Sequence, residues 1–232
     1  MKTRIAKFIS DCGIASRRDA EKLIENGVVY VNGKLVDTPV FFVEDGDQVF
    51  VNGKQIEKHD EIKLYMFHKP INTMTTVRDP MGRKTIYDVL DKEYKNLKYV
   101  GRLDYKTSGL LLLTNNGDLA RKLSLPENNI ERTYVATIGK YTEQGLDVAR
   151  HGTTVDGIRY RPMKIKVVDD NHLRVTVTEG KKNEVRIVLR HIGSPVRALH
   201  RESYGGIHLG KLRVGKIIEI DKKTVDLILK NF

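Results

Sequence analysis

The sequence predicts an α+β chain of two domains. Three observations carry this: an apolar period that switches from helical to alternating within the first 60 residues, a highly charged stretch over 57–63, and a longer C-terminal part in which strand-like and helix-like segments intersperse. The domains read as 1–60 and 61–232. At 232 residues, 40% apolar and 31% charged, the chain is long enough for proper hydrophobic cores without covalent staples.

In the first domain, Ile5, Phe8 and Ile9 stand at i, i+3 and i+4 between Arg4 and Asp11, which predicts a short helix that Gly13 can end. Ser16 is a candidate N-cap with an acid, Asp19, three residues on. The helix that follows carries Ala20, Leu23 and Ile24 on one face and reaches Gly27, where a left-handed backbone is needed. Two hairpins come next: Val28 to Val31 and Lys34 to Val36 flank Asn32-Gly33, while Gln48 to Val51 and Lys54 to Ile56 flank Asn52-Gly53. Asn-Gly supplies the two positive φ values that a tight hairpin turn demands. Beyond the charged stretch, Leu173 to Thr178 alternates as a strand, and helical stretches fall near Ile86 to Leu90, Asp118 to Leu123 and Glu184 to Ile192.

The 41 Lys and Arg exceed the 30 Asp and Glu, giving a net charge of +11 that favours a polyanionic partner. Residues 1–60 sum to −1 and the remainder to +12, so the surplus belongs to the second domain. The first is nonetheless polarised: Arg4, Lys7, Arg17, Arg18 and Lys22 sit on its two helices, away from the acidic turn Glu44-Asp45-Gly46-Asp47. Such a face can grip phosphates. The lone Cys12 cannot form an internal disulfide, and a reducing, cytoplasmic compartment is expected. Charge interrupts the N-terminus before an apolar signal core develops, and the longest pure aliphatic run, Leu110 to Leu113, is far short of a membrane span. Neither a dinucleotide glycine fingerprint nor a GxxxxGK[ST] phosphate loop occurs, and the histidines form no HExxH or Cys/His cluster, so no metal site is expected.

The most informative stretch runs from Gly101 to Asn115. It places Asp104 between a Gly-Arg turn and a Thr-Ser-Gly turn, immediately ahead of an aliphatic run that must be a buried strand or lie against one. That acid is held on a rigid support. Only one carboxylate is offered there, whereas glycoside hydrolysis wants two. In the helix near residues 184–192, Val185, Val188, Leu189 and Ile192 form the buried face, leaving Lys182, Arg186 and Arg190 as a basic row at i, i+4 and i+8. Tyr134 lies in a short strand-like segment, where an aromatic more often fills a core.

Ile14-Ala15-Ser16-Arg17-Arg18-Asp19-Ala20-Glu21-Lys22-Leu23-Ile24, with Gly27 to Gly33, closely resembles the S4 RNA-binding module. Gly101-Arg102-Leu103-Asp104 and the following Thr-Ser-Gly-Leu-Leu-Leu-Leu-Thr-Asn resemble the catalytic motif of ribosomal RNA pseudouridine synthases that carry an N-terminal S4 domain. His68-Lys69-Pro70 with Asp79 to Ile86, Ile130 to Tyr134, Glu179 to Arg186, Leu199-His200-Arg201 and Gly205 to Leu212 are similar to that family's other motifs, in order. The resemblance implies a mixed, largely antiparallel catalytic sheet with flanking helices and a basic central cleft. It implies that Asp104 is the essential group, attacking the nucleoside or removing a sugar proton to give a glycal, with Arg186 as its ion-pair partner and Tyr134 stacked on the target base. Arg102 is expected to fill the space the base vacates. Arg17, Arg18 and Lys22, with Lys182, Arg190 and Arg201, are expected to contact RNA. The isomerisation changes no redox state and demands no cofactor. The expected partner is ribosomal RNA or an assembly intermediate, large-subunit RNA ahead of small-subunit RNA, and a monomer is the default; the competing reading is a non-catalytic RNA-binding assembly factor. Asn72, Asn116 and Lys216-Ile217 depart from the family pattern, outside the proposed chemistry.

Overall fold

The computed structural model describes residues 2–58 and 61–230 and divides into two units. One is Met1–Lys63 with Asn96–Lys98 and Asn115–Gly117; the other holds the rest of the chain. Within the charged stretch expected to part the domains, residues 59 and 60 lie outside the described residues.

The first unit runs β1 (Thr3–Arg4), α1 (Ile5–Asp11), α2 (Arg17–Glu25), β2 (Val29–Val31), β3 (Lys34–Leu35), β4 (Phe42–Val43), β5 (Val49–Val51) and β6 (Lys54–Ile56). Ser16 caps α2, its hydroxyl accepting from the Asp19 amide at 3.2 Å and donating to the Asp19 carboxylate at 2.7 Å. Gly27 takes φ +70° just beyond the helix. Asn32 and Gly33 (φ 50° and 77°) and Asn52 and Gly53 (50° and 73°) turn the hairpins β2–β3 and β5–β6. These join into a sheet of order β3-β2-β5-β6, whose Val29, Val31, Val49 and Val51 pack on Ile5, Ile9, Ala20 and Ile24. The pairing of β1 with β4 left no trace in the periodicity, because two-residue strands are too short to show one.

The second part of the chain runs β7 (Leu64–Lys69), β8 (Lys98–Val100), β9 (Thr107–Thr114), α3 (Gly117–Ser124), β10 (Arg132–Ile138), α4 (Glu143–His151), β11 (Thr153–Val155), β12 (Ile158–Tyr160), β13 (Lys164–Asp169), β14 (His172–Val177), α5 (Glu184–His191), β15 (Val196–Tyr204), β16 (Ile207–His208), β17 (Ile217–Glu219) and α6 (Lys222–Lys230). A nine-stranded mixed sheet of order β13-β14-β10-β15-β9-β7-β17 organises it, with β16 on β15 and β8 on β9. Only β15 against β9 is parallel along that path. Leu110 to Leu113 are fully buried in β9, which is covered on both faces and therefore reads as an unbroken aliphatic run rather than an alternating one. The helical stretch expected near Ile86 to Leu90 is a single 3₁₀ turn, Ile86–Asp88, closed by a reciprocal cap between Thr85 and Asp88. Five residues with one apolar turn cannot propagate a helix. Asp156-Gly157 (φ 49° and 77°) turns the hairpin β11–β12, a signal of the Asn-Gly kind that the sequence carries in plain view.

Candidate active site

Asp104 opens a tight turn that runs to Thr107, rather than lying between two turns. Its carbonyl accepts from the Thr107 amide at 2.9 Å, and β9 begins at once, so the expected Thr-Ser-Gly turn is the first part of a strand. The glycine is needed for approach: Gly109 has φ +109°, and a Cβ there would lie 2.3 Å from the Arg201 carbonyl oxygen and 2.5 Å from its nitrogen. With no side chain in the way, β15 pairs with β9 in the register Leu199 to Thr107 and Arg201 to Gly109. The other edge of β15 pairs with β10, where Tyr134 faces Arg201. Alternation along the strands then sets Thr107, Leu199, Arg201 and Tyr134 on one face. A cleft of about 260 Å³ opens there, lined also by Asp104, Arg102 and Lys182.

Lys69, fully buried at the end of β7, clamps the Asp104 turn. Its ammonium donates to the carbonyls of Pro70 and Thr107, both at 2.9 Å, and to that of Asp104 at 3.4 Å. Burial pulls Lys69 down to about 8, against the upward pull of the Asp104 charge. The half-buried Asp104 carboxylate itself takes no hydrogen bond or ion pair among the described residues. The expected ion pair with Arg186 is therefore not formed. That guanidinium donates instead to the carbonyls of Val196, at 3.1 Å, and Lys106, at 3.0 Å. Burial lowers its affinity for the proton, and the nearby Asp104 charge opposes this. Arg186 thus ties α5 to the Asp104 turn and to the start of β15.

The basic row expected on α5 is broken for a local reason. Asn183, with φ 55°, is the N-cap, so Lys182 precedes the helix in an exposed turn on the rim of the cleft. Arg190 remains on the exposed face of α5. The turn is held by Glu184, 4% exposed, whose carboxylate accepts from the Gly180 amide at 3.0 Å and whose pKa burial raises. Lys181 pairs with Glu179 beside it.

Arg201 does not reach RNA from the surface, because it is 1% exposed. Its Nε donates to the Leu110 carbonyl at 2.7 Å, its Nη1 to the Tyr134 hydroxyl at 3.5 Å, and its guanidinium lies 4.9 Å from the centre of the Tyr204 ring. Arg132, also buried, lies 5.0 Å from the same ring centre and donates to the Tyr204 hydroxyl at 3.1 Å. Sequence reasoning gave Lys69, Arg132 and Tyr204 no role. The signal for Lys69 was a charged residue ending an otherwise largely apolar strand directly before a proline.

In the first unit, Arg17 and Arg18 are exposed in the first turn of α2 and make no ion pair among the described residues. Lys22 is exposed but tied to Asp19 at 3.3 Å, and Lys7 pairs with Asp11 at the same distance. The described residues contain no group of three or more His, Cys, Asp or Glu placed to hold a metal ion, and no helix long and apolar enough to cross a membrane.

Comparison with known proteins agrees with this architecture. A family model described as RNA pseudouridylate synthase matches residues 63–191, and an S4 domain model matches 3–49. An uncharacterized RNA pseudouridine synthase of Rickettsia bellii is 40% identical, covering 95% of this chain and 97% of its own length. The ribosomal large subunit pseudouridine synthase B of Bacillus subtilis is 35% identical over 96% of this chain and 93% of its own. A crystal structure of a pseudouridylate synthase superposes with a TM-score of 0.71 at 26% identity, covering 97% of this chain and 99% of that one. An S4 domain followed by this sheet and cleft defines an RNA-modifying isomerase. The chain belongs to the RNA pseudouridine synthase family, and its activity is the conversion of uridine to pseudouridine in RNA.

Proposed function

We propose that the chain isomerises one uridine of ribosomal RNA, in the large subunit, with Asp104 as the group that acts on the nucleoside. The observation that carries the chemistry is the pairing of a clamped turn with an open acid: Lys69 fixes the backbone at Asp104, while the carboxylate has no partner among the described residues in the cleft that Tyr134 lines. The choice of RNA is supported by the likeness, along nearly the whole chain, to a synthase named for the large ribosomal subunit.

The reaction breaks the N1 to C1′ bond, turns the base, joins C5 to C1′ and moves the C5 proton to solvent while N1 gains one. Asp104 either attacks the nucleoside or takes a sugar proton to give a glycal. The uridine must leave its stack, at a cost of roughly a few kcal/mol. Arg102, exposed at the mouth of the cleft, takes the vacated space, and Tyr134 stacks on the extruded base. Arg186 positions the Asp104 turn through the Lys106 carbonyl. Phosphate contacts by Arg17 and Arg18, with Lys182 and Arg190, hold the surrounding RNA. The setting is a reducing, cytoplasmic one, and the chain acts as a monomer.

Tritium release from C5-labelled uridine in ribosomal transcripts tests this. The native chain is expected to release tritium, and Asp104→Asn to release none while binding RNA with affinity largely kept. Near-native turnover by the Asn variant would remove Asp104 from the chemistry. Mapping pseudouridines in RNA from cells lacking the protein fixes the subunit, and a lost modification in small-subunit RNA would overturn the large-subunit assignment.

A further inference from the structure

Four buried side-chain atoms among the described residues find no hydrogen-bond partner, and two of them, Thr107 Oγ1 and Arg201 Nη2, belong to residues lining the cleft. Both residues are 1% exposed. They share one face of the parallel pair β9 and β15, with Leu199 opposite Thr107 and Tyr134 opposite Arg201. A buried guanidinium with half of its fork empty and no carboxylate paired to it is costly in the free protein. A site that leaves such donors bare beside its reacting acid is built for a ligand that supplies the acceptor.

A phosphate does not fit. Arg201 lies against Tyr134 and Tyr204 at 1% exposure, so an anion would have to give up its whole hydration shell to meet it, a far larger cost than a neutral base incurs. A flat heterocycle fits, and its edge must present acceptors, because a guanidinium has donors only. Uracil presents a carbonyl, an N3–H and a second carbonyl along one edge. Cytosine replaces the O4 carbonyl with an amino donor. We infer that Arg201 and Thr107 read the imide edge of the extruded uracil, Arg201 donating to a carbonyl oxygen and the Thr107 hydroxyl pairing beside it. This deepens the reading of the cleft as the uridine site and rests on it. Where the carbonyl is O4, the same contact rejects cytidine by setting donor against donor.

The test uses the full chain and a short RNA spanning the modified uridine, C5-tritiated, with that uridine in its normal, 2-thio or 4-thio form. Sulfur keeps the shape of the base but is a weak acceptor. In the native chain, one of the two sulfur substitutions is expected to slow single-turnover tritium release by roughly tenfold. In Arg201→Lys and in Thr107→Val, overall release is slower but that sulfur penalty shrinks towards none, which a merely structural role would not produce. Thr107→Val alters only a hydroxyl and keeps the test open should Arg201→Lys fail to fold, as melting temperatures will reveal. No sulfur penalty in the native chain, or an equal one in native and folded variants, overturns the inference. Failure of the native chain on the unsubstituted RNA would instead strike the uridine reading itself, so the two failures are distinct.

Discussion

Lys69 shows how much one side chain can do from inside the core. An ammonium has three donors, and Lys69 spends them on three carbonyls around the Asp104 turn. A neutral amine has two, so deprotonation must release one. Burial has lowered the pKa from its ordinary 10.5 to about 8, which puts that loss within reach of mild alkali. Stability and activity then respond with opposite sign. Between about pH 8 and 10.5 the unfolded chain holds a proton that the folded chain has lost, so this group adds to stability as pH rises through that window and adds least below it. The clamp weakens over the same window. The expected result is a falling limb near pH 8 in kcat/KM for the native chain, and a low, flat profile for Lys69→Met. A limb that survives unchanged in Lys69→Met would free Lys69 of the role. The motif put Asp104 beside the turn that Lys69 clamps, but it misplaced Arg186, which bonds the Val196 and Lys106 carbonyls and not the acid. A fork such as Arg186 meets backbone carbonyls as readily as a carboxylate, and nothing in a linear pattern ranks the two.

Gly109 decides how two strands meet. In sequence it closes a Thr-Ser-Gly triplet that reads as a turn; in the structure it is the point where the β15 backbone lies against β9. Gly109→Ala adds a Cβ into main-chain atoms that have no rotamer to yield, at a φ of +109° that L residues rarely adopt. It is expected to cost at least about 2 kcal/mol in urea unfolding, and to lower kcat more than it raises KM, since it displaces the strand that carries Leu199 and Arg201. Loss of stability with unchanged kcat would show that the cleft tolerates the shift. The same distance between pattern and structure separates Lys182 from α5. Spacing of i, i+4 and i+8 assumes a continuous helix, and a left-handed Asn183 ends that assumption three residues before Arg186.

Although residues 1–60 sum to −1, Arg17 and Arg18 stand exposed on α2 without an ion pair among the described residues, and the function proposed above gives them phosphate contacts. Lys22 and Lys7 spend part of their charge on Asp19 and Asp11. Arg17→Gln and Arg18→Gln are therefore each expected to weaken RNA binding and to reduce the slope of log affinity against log salt by about 1. Lys22→Gln should do less. In titrations at several salt concentrations, an unchanged slope in the two arginine variants would place the phosphate grip elsewhere. Turnover at saturating RNA should stay native in both, since neither residue lines the cleft.

Local rules carried the two helices of the first unit, the Ser16 cap, the Asn-Gly hairpins and the aliphatic central strand, because each depends on residues close together in the chain. The nine-stranded order, the approach of β15 to Gly109, the fate of Arg186 and the burial of Arg201 depend on which distant segments share a face. Burial and pairing across more than 90 residues of chain, as between Leu110 and Arg201, are settled only when the sheet closes, since a side chain's partners are set by tertiary neighbours and not by its own spacing.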